Sequence, residues 1–146
     1  MRELPRHLSA EELAGLFEGR TRFVELLAEH DDPLGNAEAV VAELSEREKR
    51  EVLDAHPAIG QKGGLSPRSA AEQGSDDEPE VMHELARLNA DYEARHGFRF
   101  VVFVNRRPKK DILAVLRVRI DNPTSEELET ALSELVAIAV DRWRRG

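Results

Sequence analysis

Three places in this 146-residue sequence combine residue types that can move a proton or hold a small polar ion. His56 follows Val52 by four positions and Leu53 by three, so a helix through this stretch sets it on their apolar side. It would lie in the last turn before Pro57, where the negative end of the helix dipole favours the imidazolium form. A poised, partly enclosed imidazole suits proton transfer near neutral pH. The bland alternative is a core histidine bonded to a carbonyl. Ser69, Glu72 and Gln73 stand at i, i+3 and i+4, so one helix face offers a hydroxyl, a carboxylate and an amide near a helix N-terminus. That set can grip a nitrogen-rich ligand, or it is an ordinary polar face. Arg119 follows Val115 by four and Leu116 by three, and an inward-leaning guanidinium calls for an anion. A substrate carboxylate and a buried acid are equal candidates for that partner.

Several chemistries have no support. The chain has no cysteine, so disulfides and thiolate sites are excluded, and no close histidine pair suggests a metal. His83-Glu84 lacks the second histidine of a zinc-protease helix, while His7, His30 and His96 are weaker candidates. Gly60, Gly63 and Gly64 lack the lysine and preceding strand of a phosphate loop. A net charge of −8 argues against nucleic acid or an anionic membrane as partner, and Arg106-Arg107-Pro108-Lys109-Lys110 is expected to be a solvated turn. Met1 to Pro5 has no apolar signal core, no stretch reaches membrane-spanning length, and Arg144-Arg145-Gly146 is no peroxisomal tripeptide. Cytoplasm is the expected location.

Helices must position these groups. With 5% aromatic residues and 40% hydrophobic content, the core rests on Leu, Val, Ile and Ala. Ser9 with Glu12, Ser45 with Glu48 and Thr124 with Glu127 are spaced as capping boxes, and Asn36 can cap a further helix. Phe23 to Leu27, Val40 to Leu44, Val81 to Tyr92 and Ile112 to Ile120 keep helical spacing. Leu128, Leu132, Leu135, Ile138 and Ala139 form the stripe of a long closing helix, and Gly97 suits a helix stop. Ser66-Pro67 opens a short helix to Gly74. Phe98 to Val104 reads locally as a strand but has no partner strand, so a buried extended segment or an enforced helix is expected. The fold class is all-α: one domain over 1–146, an irregular array of long and short helices.

In order along the chain, Ala55-His56-Pro57 with Ile59-Gly60, then Ser69-Ala70-Ala71-Glu72-Gln73, then Leu88-Asn89 with Tyr92, set up a recognisable series. It continues with His96-Gly97-Phe98, Phe100-Val101-Val102, and Arg119-Ile120 with Asn122. This set resembles the 2-oxo-4-hydroxy-4-carboxy-5-ureidoimidazoline (OHCU) decarboxylases. The resemblance implies an all-helical homodimer with no cofactor or metal, which removes carbon dioxide from OHCU to give (S)-allantoin in urate breakdown. It also implies roles: His56 catalytic, with Glu72 and Arg119 as its acidic and basic companions. Pro57, Ser69, Ala70, Ala71, Glu72 and Gln73, with Phe100, Val101, Val102, Phe103 and Val104, match its substrate-contacting stretches. Ala58-Ile59-Gly60 after the His-Pro pair, and the acidic segment after Gln73, depart from the commoner pattern. Two other readings stay open: a non-catalytic helical interaction module, and a decarboxylase of a related ureido or imidazoline acid.

Overall fold

The computed structural model describes residues 3–57 and 78–145. Among them are seven helices and no strand: α1 (Ala10–Phe17), α2 (Arg22–Ala28), α3 (Ala37–Glu43), α4 (Glu46–Asp54), α5 (Pro79–His96), α6 (Lys109–Arg119) and α7 (Thr124–Arg145). The all-α expectation therefore holds. The expected helix from Ser66 to Gly74, and with it Ser69, Ala70, Ala71, Glu72 and Gln73, lies outside the described residues.

Local chemistry sets most of the helix ends. Ser9 and Ser45 each accept from the backbone N–H three residues on, and Glu12 and Glu48 accept from the cap N–H in return. Both boxes satisfy two donors that the first helical turn leaves open. Gly97 ends α5 at φ +80°, a left-handed conformation that a side chain resists, and an added Cβ would lie 2.9 Å from Arg50 Nη1. Two other expected caps are corrected. Asn36 makes no cap bond to α3; its amide instead donates backwards to the carbonyls of Asp31 and Asp32. Thr124 is already the first residue of α7, so Thr124 and Glu127 form no capping box. Tertiary partners have claimed both side chains instead, as shown below.

The longest helix, α7, is the hub and packs against α1, α3, α4 and α5. Its stripe of Leu128, Ala131, Leu132, Leu135, Ile138 and Ala139 is buried. Phe17, Phe23, Leu27, Val52, Leu53, Leu85 and Ile112 join the same apolar core. Between α5 and α6, residues 98–104 are neither helix nor strand, yet Phe98, Phe100, Val101, Val102 and Val104 are buried. The basic run that follows is not simply a solvated turn. Lys109 is only 5% exposed, and Arg107 donates from Nε to Val104 O at 3.1 Å and from Nη2 to Phe103 O. Asn105 and Arg106 turn the chain there with positive φ of 49° and 64°.

Losing the α4 cap hydroxyl leaves a backbone donor unmet, so Ser45→Ala should cost about 1 kcal/mol in urea unfolding, with the helical spectrum otherwise retained. An unchanged midpoint would show that the cap contributes nothing.

Candidate active site

His56 lies just past the end of α4, whose last residue is Asp54 and whose C-cap is Ala55. Its N–H still donates to Leu53 O at 3.1 Å, and its ring is turned inward, leaving the residue 6% exposed. The closeness of α1 helps to enclose it. Gly19 follows the C-cap of α1, and a Cβ there would lie 3.2 Å from the Cβ of Ala55. Any larger residue at 19 would push α1 away from the segment that carries the imidazole.

The charges around His56 come from three elements. Arg142, near the end of α7, donates from Nη1 to Leu16 O at 2.9 Å and pairs through Nη2 with Glu18 Oε1 at 3.1 Å. Glu18 is the α1 C-cap and holds a left-handed φ of 65°, which a β-carbon disfavours. Its ion pair with Arg142 helps to retain it there. From the other side, Arg99 donates through Nη1 to the carbonyls of His56 and Asp54 and pairs through Nε with Glu93 at 3.2 Å. The backbone N–H of Arg99 donates to Asp54 Oδ1 at 3.0 Å.

This setting reverses the expected protonation of His56. Burial, then the Arg142 guanidinium, and to a smaller degree Arg99, push its pKa down from 6.5 to about 4, while Glu18 opposes them. The helix dipole that was expected to favour imidazolium is outweighed by desolvation and two nearby cations. His56 is therefore neutral at pH 7. Its Nε2 is buried and has no hydrogen-bond partner among the described residues. A neutral imidazole with an unengaged nitrogen can accept a proton, and an anion arriving beside it would raise its basicity.

Arg119 is the second candidate side chain. It is buried at the end of α6, with Nε donating to Glu127 Oε1 at 2.9 Å and Nη1 to Val101 O at 2.8 Å. Its Cζ lies 4.6 Å from the Phe100 ring centroid, within cation–π range, and Nη2 has no partner among the described residues. Glu127 is 0% exposed and also accepts from Tyr92 Oη at 2.6 Å and from Asn122 Nδ2 at 3.0 Å. Burial and that bond to a carboxylate drive the Tyr92 phenol well above its usual range. Of the two partners open to an inward-leaning Arg119, the buried acid is the one observed. Among the described residues, the charges that shift His56 are Arg142, Glu18 and Arg99. The sequence reasoning missed Arg142. Its signal was a cation on the α7 stripe, seven positions after Leu135 and three after Ala139.

Pro57 is half-buried beside His56, and Phe100 to Val104 form the irregular run that follows Arg99. Glu72 and the rest of the 69–73 segment fall outside the described residues. His96 is structural: Nε2 donates to Ile120 O at 3.1 Å, and Nδ1 shares a hydrogen bond with Thr124 Oγ1 at 2.7 Å. His7, His30 and His83 are exposed. Among the described residues no group of three His, Asp or Glu could hold a metal ion, and no helix is long and apolar enough to cross a membrane.

A family model for OHCU decarboxylase matches residues 2–144. The chain belongs to the OHCU decarboxylase family. Relatives within that family include the 2-oxo-4-hydroxy-4-carboxy-5-ureidoimidazoline decarboxylase of Haloferax volcanii, 36% identical over 74% of this chain and 67% of that protein. The protein of the same name from Halalkalicoccus jeotgali is 33% identical over 70% of this chain and 60% of its own length. A crystal structure of an OHCU decarboxylase in the presence of (S)-allantoin superposes with a TM-score of 0.77, covering 92% of this chain and 95% of that one. At 21% identity that likeness establishes the family's all-α fold for this member.

A base whose folded pKa is depressed stabilises the native state fully above its unfolded value and loses that contribution as pH falls. The His56 contribution, about 3 kcal/mol from a shift between 6.5 and about 4, should disappear over that interval. Urea unfolding across the range should show a steeper loss in the wild type than in His56→Asn; identical slopes would mean the ring titrates normally.

Proposed function

We propose that this OHCU decarboxylase family member converts OHCU to (S)-allantoin without a cofactor, with His56 as its proton-transfer group. The observation that carries the reading is a buried imidazole held neutral by burial and the Arg142 charge, its Nε2 unengaged among the described residues, in a chain of this family. The names of its relatives support the substrate.

The reaction needs little more than this. Breaking the bond to the carboxylate releases carbon dioxide and leaves an electron pair on the ring carbon. That pair delocalises into the adjacent carbon–nitrogen π system, so no external electron sink is required. His56 accepts the hydroxyl proton through Nε2 and then delivers a proton to one face of the carbon that becomes the stereocentre. Neutral carbon dioxide leaves the negative charge behind on the ring, so an imidazolium of depressed basicity gives its proton to that anion readily, and one further proton from solvent completes neutral allantoin.

Arg142 serves the reaction by lowering the basicity of the His56 ring, while its own Nη1 and Nη2 are engaged by Leu16 O and Glu18. The resemblance gives Arg119 the task of orienting the anionic or carbonyl end of the substrate; its Nε and Nη1 are held by Glu127 and Val101 O, and its buried Nη2, without a partner among the described residues, is the nitrogen open to that contact. The resemblance supports the remaining assignments. Pro57, Ser69, Ala70 and Ala71 line the substrate, Glu72 and Gln73 bind its ureido and ring N–H groups, and Phe100 to Val104 contact it. It likewise supports a cytoplasmic homodimer built from a single domain.

General acid–base help is worth roughly 10²–10⁴-fold, and His56→Ala and His56→Asn should lose about that much formation of optically active allantoin. Circular dichroism, followed after urate is supplied with uricase and the upstream hydrolase, reads the product directly. His83→Ala, on an exposed position, should match the wild type. Undiminished optical activity in both His56 variants would remove the residue from the mechanism. A wild type that leaves OHCU unchanged but decarboxylates another ureido acid would shift the reading to the related substrate.

A further inference from the structure

The backbone of residues 98–104 is bonded on alternate residues. Arg99 N–H donates to Asp54 Oδ1 at 3.0 Å, Val101 O accepts from Arg119 Nη1 at 2.8 Å, and Phe103 N–H donates to Glu134 Oε1 at 3.3 Å. Arg107 caps the end through the carbonyls of Phe103 and Val104. In an extended chain the N–H and C=O of one residue point to the same edge, and those of its neighbour to the opposite edge. Side chains from α4, α6 and α7 thus take the place of a partner strand along the edge of 99, 101 and 103. No hydrogen bond to the backbone N–H or C=O of Phe100 or Val102 is found among the described residues, although both residues are almost wholly buried, at 1% and 3% exposure. Buried peptide groups of this kind strongly favour a partner.

We propose that Asp54 and Glu134 are positioning residues that, on either side of the Arg119 bond to Val101 O, clamp one edge of this run so that the peptide groups of Phe100 and Val102 form a preset row of donors and acceptors for the ureide. The inference rests on the proposed function for the identity of that ligand. A ureide carries alternating N–H and C=O groups, as a strand edge does, so a fixed peptide row matches it in register. Neither Asp54 nor Glu134 need touch the ligand. Their effect passes through the backbone they hold.

Asp54 is exposed and Glu134 is partly so, which makes them safer to alter than Arg119. The test compares Asp54→Ala and Glu134→Ala with Asp54→Asn and Glu134→Gln, whose amide oxygens can still accept the same backbone N–H. In the absence of ligand, hydrogen exchange at the amides of Phe100 and Val102 should accelerate in the alanine variants and return toward wild type in the amide variants. KM for OHCU should rise about tenfold in the alanine variants, with kcat within about twofold, and recover in the amide variants. A merely structural role would lower the melting temperature and the active fraction, leaving KM alone. Unchanged exchange would overturn the clamp. Faster exchange with an unchanged KM would overturn its part in recognition. Should the wild type fail to turn over OHCU, the functional reading falls separately. Protection of the Phe100 and Val102 amides by added (S)-allantoin, present in the wild type and lost in Glu134→Ala, then decides the clamp.

Discussion

Helix α7 carries two buried charges on its apolar stripe, and the surrounding elements are fastened to it through them. Glu127 lies in the first turn and gathers Tyr92 from α5, Arg119 from α6 and Asn122 from the connecting loop. Arg142 lies in the last turns and gathers the end of α1 through Leu16 and Glu18. Each charge suits the helix dipole at its own end, acid at the N-terminus and base at the C-terminus. At 1.5 Å per residue the two are about 22 Å apart along the helix. A buried ion stripped of its partner is far more costly than an absent pair, so each cluster fixes the packing of its neighbours more strictly than apolar contacts would. Arg119 belongs to the Glu127 end, and the imidazole responds to the Arg142 end.

Helices were legible in the sequence because their signals are local. The serine caps at 9 and 45, the stop at Gly97 and the stripe of α7 depend on spacing within one or two turns, and the structure reproduces all of them. Thr124 and Glu127 show where local reasoning ends. Their spacing is that of a capping box, but His96 claims the hydroxyl, and three donors from the surrounding elements claim the carboxylate. Tertiary demand for a buried anion exceeded what one exposed cap could return. The same limit hid the partners of residues 98–104. A strand-like pattern without a second strand was a real conflict, and it is resolved by side chains separated in sequence by as many as 45 residues. No periodicity announces such a bond.

His56 is the instructive case for chemistry. Its position and its inward turn followed from the apolar spacing before Pro57. Its protonation state did not, because the deciding charges arrive from α7 and from the run after α5. Helix-dipole reasoning considered only the element that carries the residue. The enclosure by Gly19 and Ala55, and the cation from Arg142, depend on helices that meet only in the folded chain. Arg142 itself left a trace, as a charge where the α7 stripe calls for an apolar residue. Such an interruption marks a buried ion pair, but it does not name the histidine beside it.

The central claim is that the fold keeps the residue 56 imidazole uncharged and ready to receive a proton. Its ring resonances, followed by NMR during an acid titration of the ligand-free protein, measure this directly. The account predicts a midpoint near 4, moving upward when Arg142 is replaced by leucine. A midpoint at 6.5 or above, indifferent to that replacement, would contradict it.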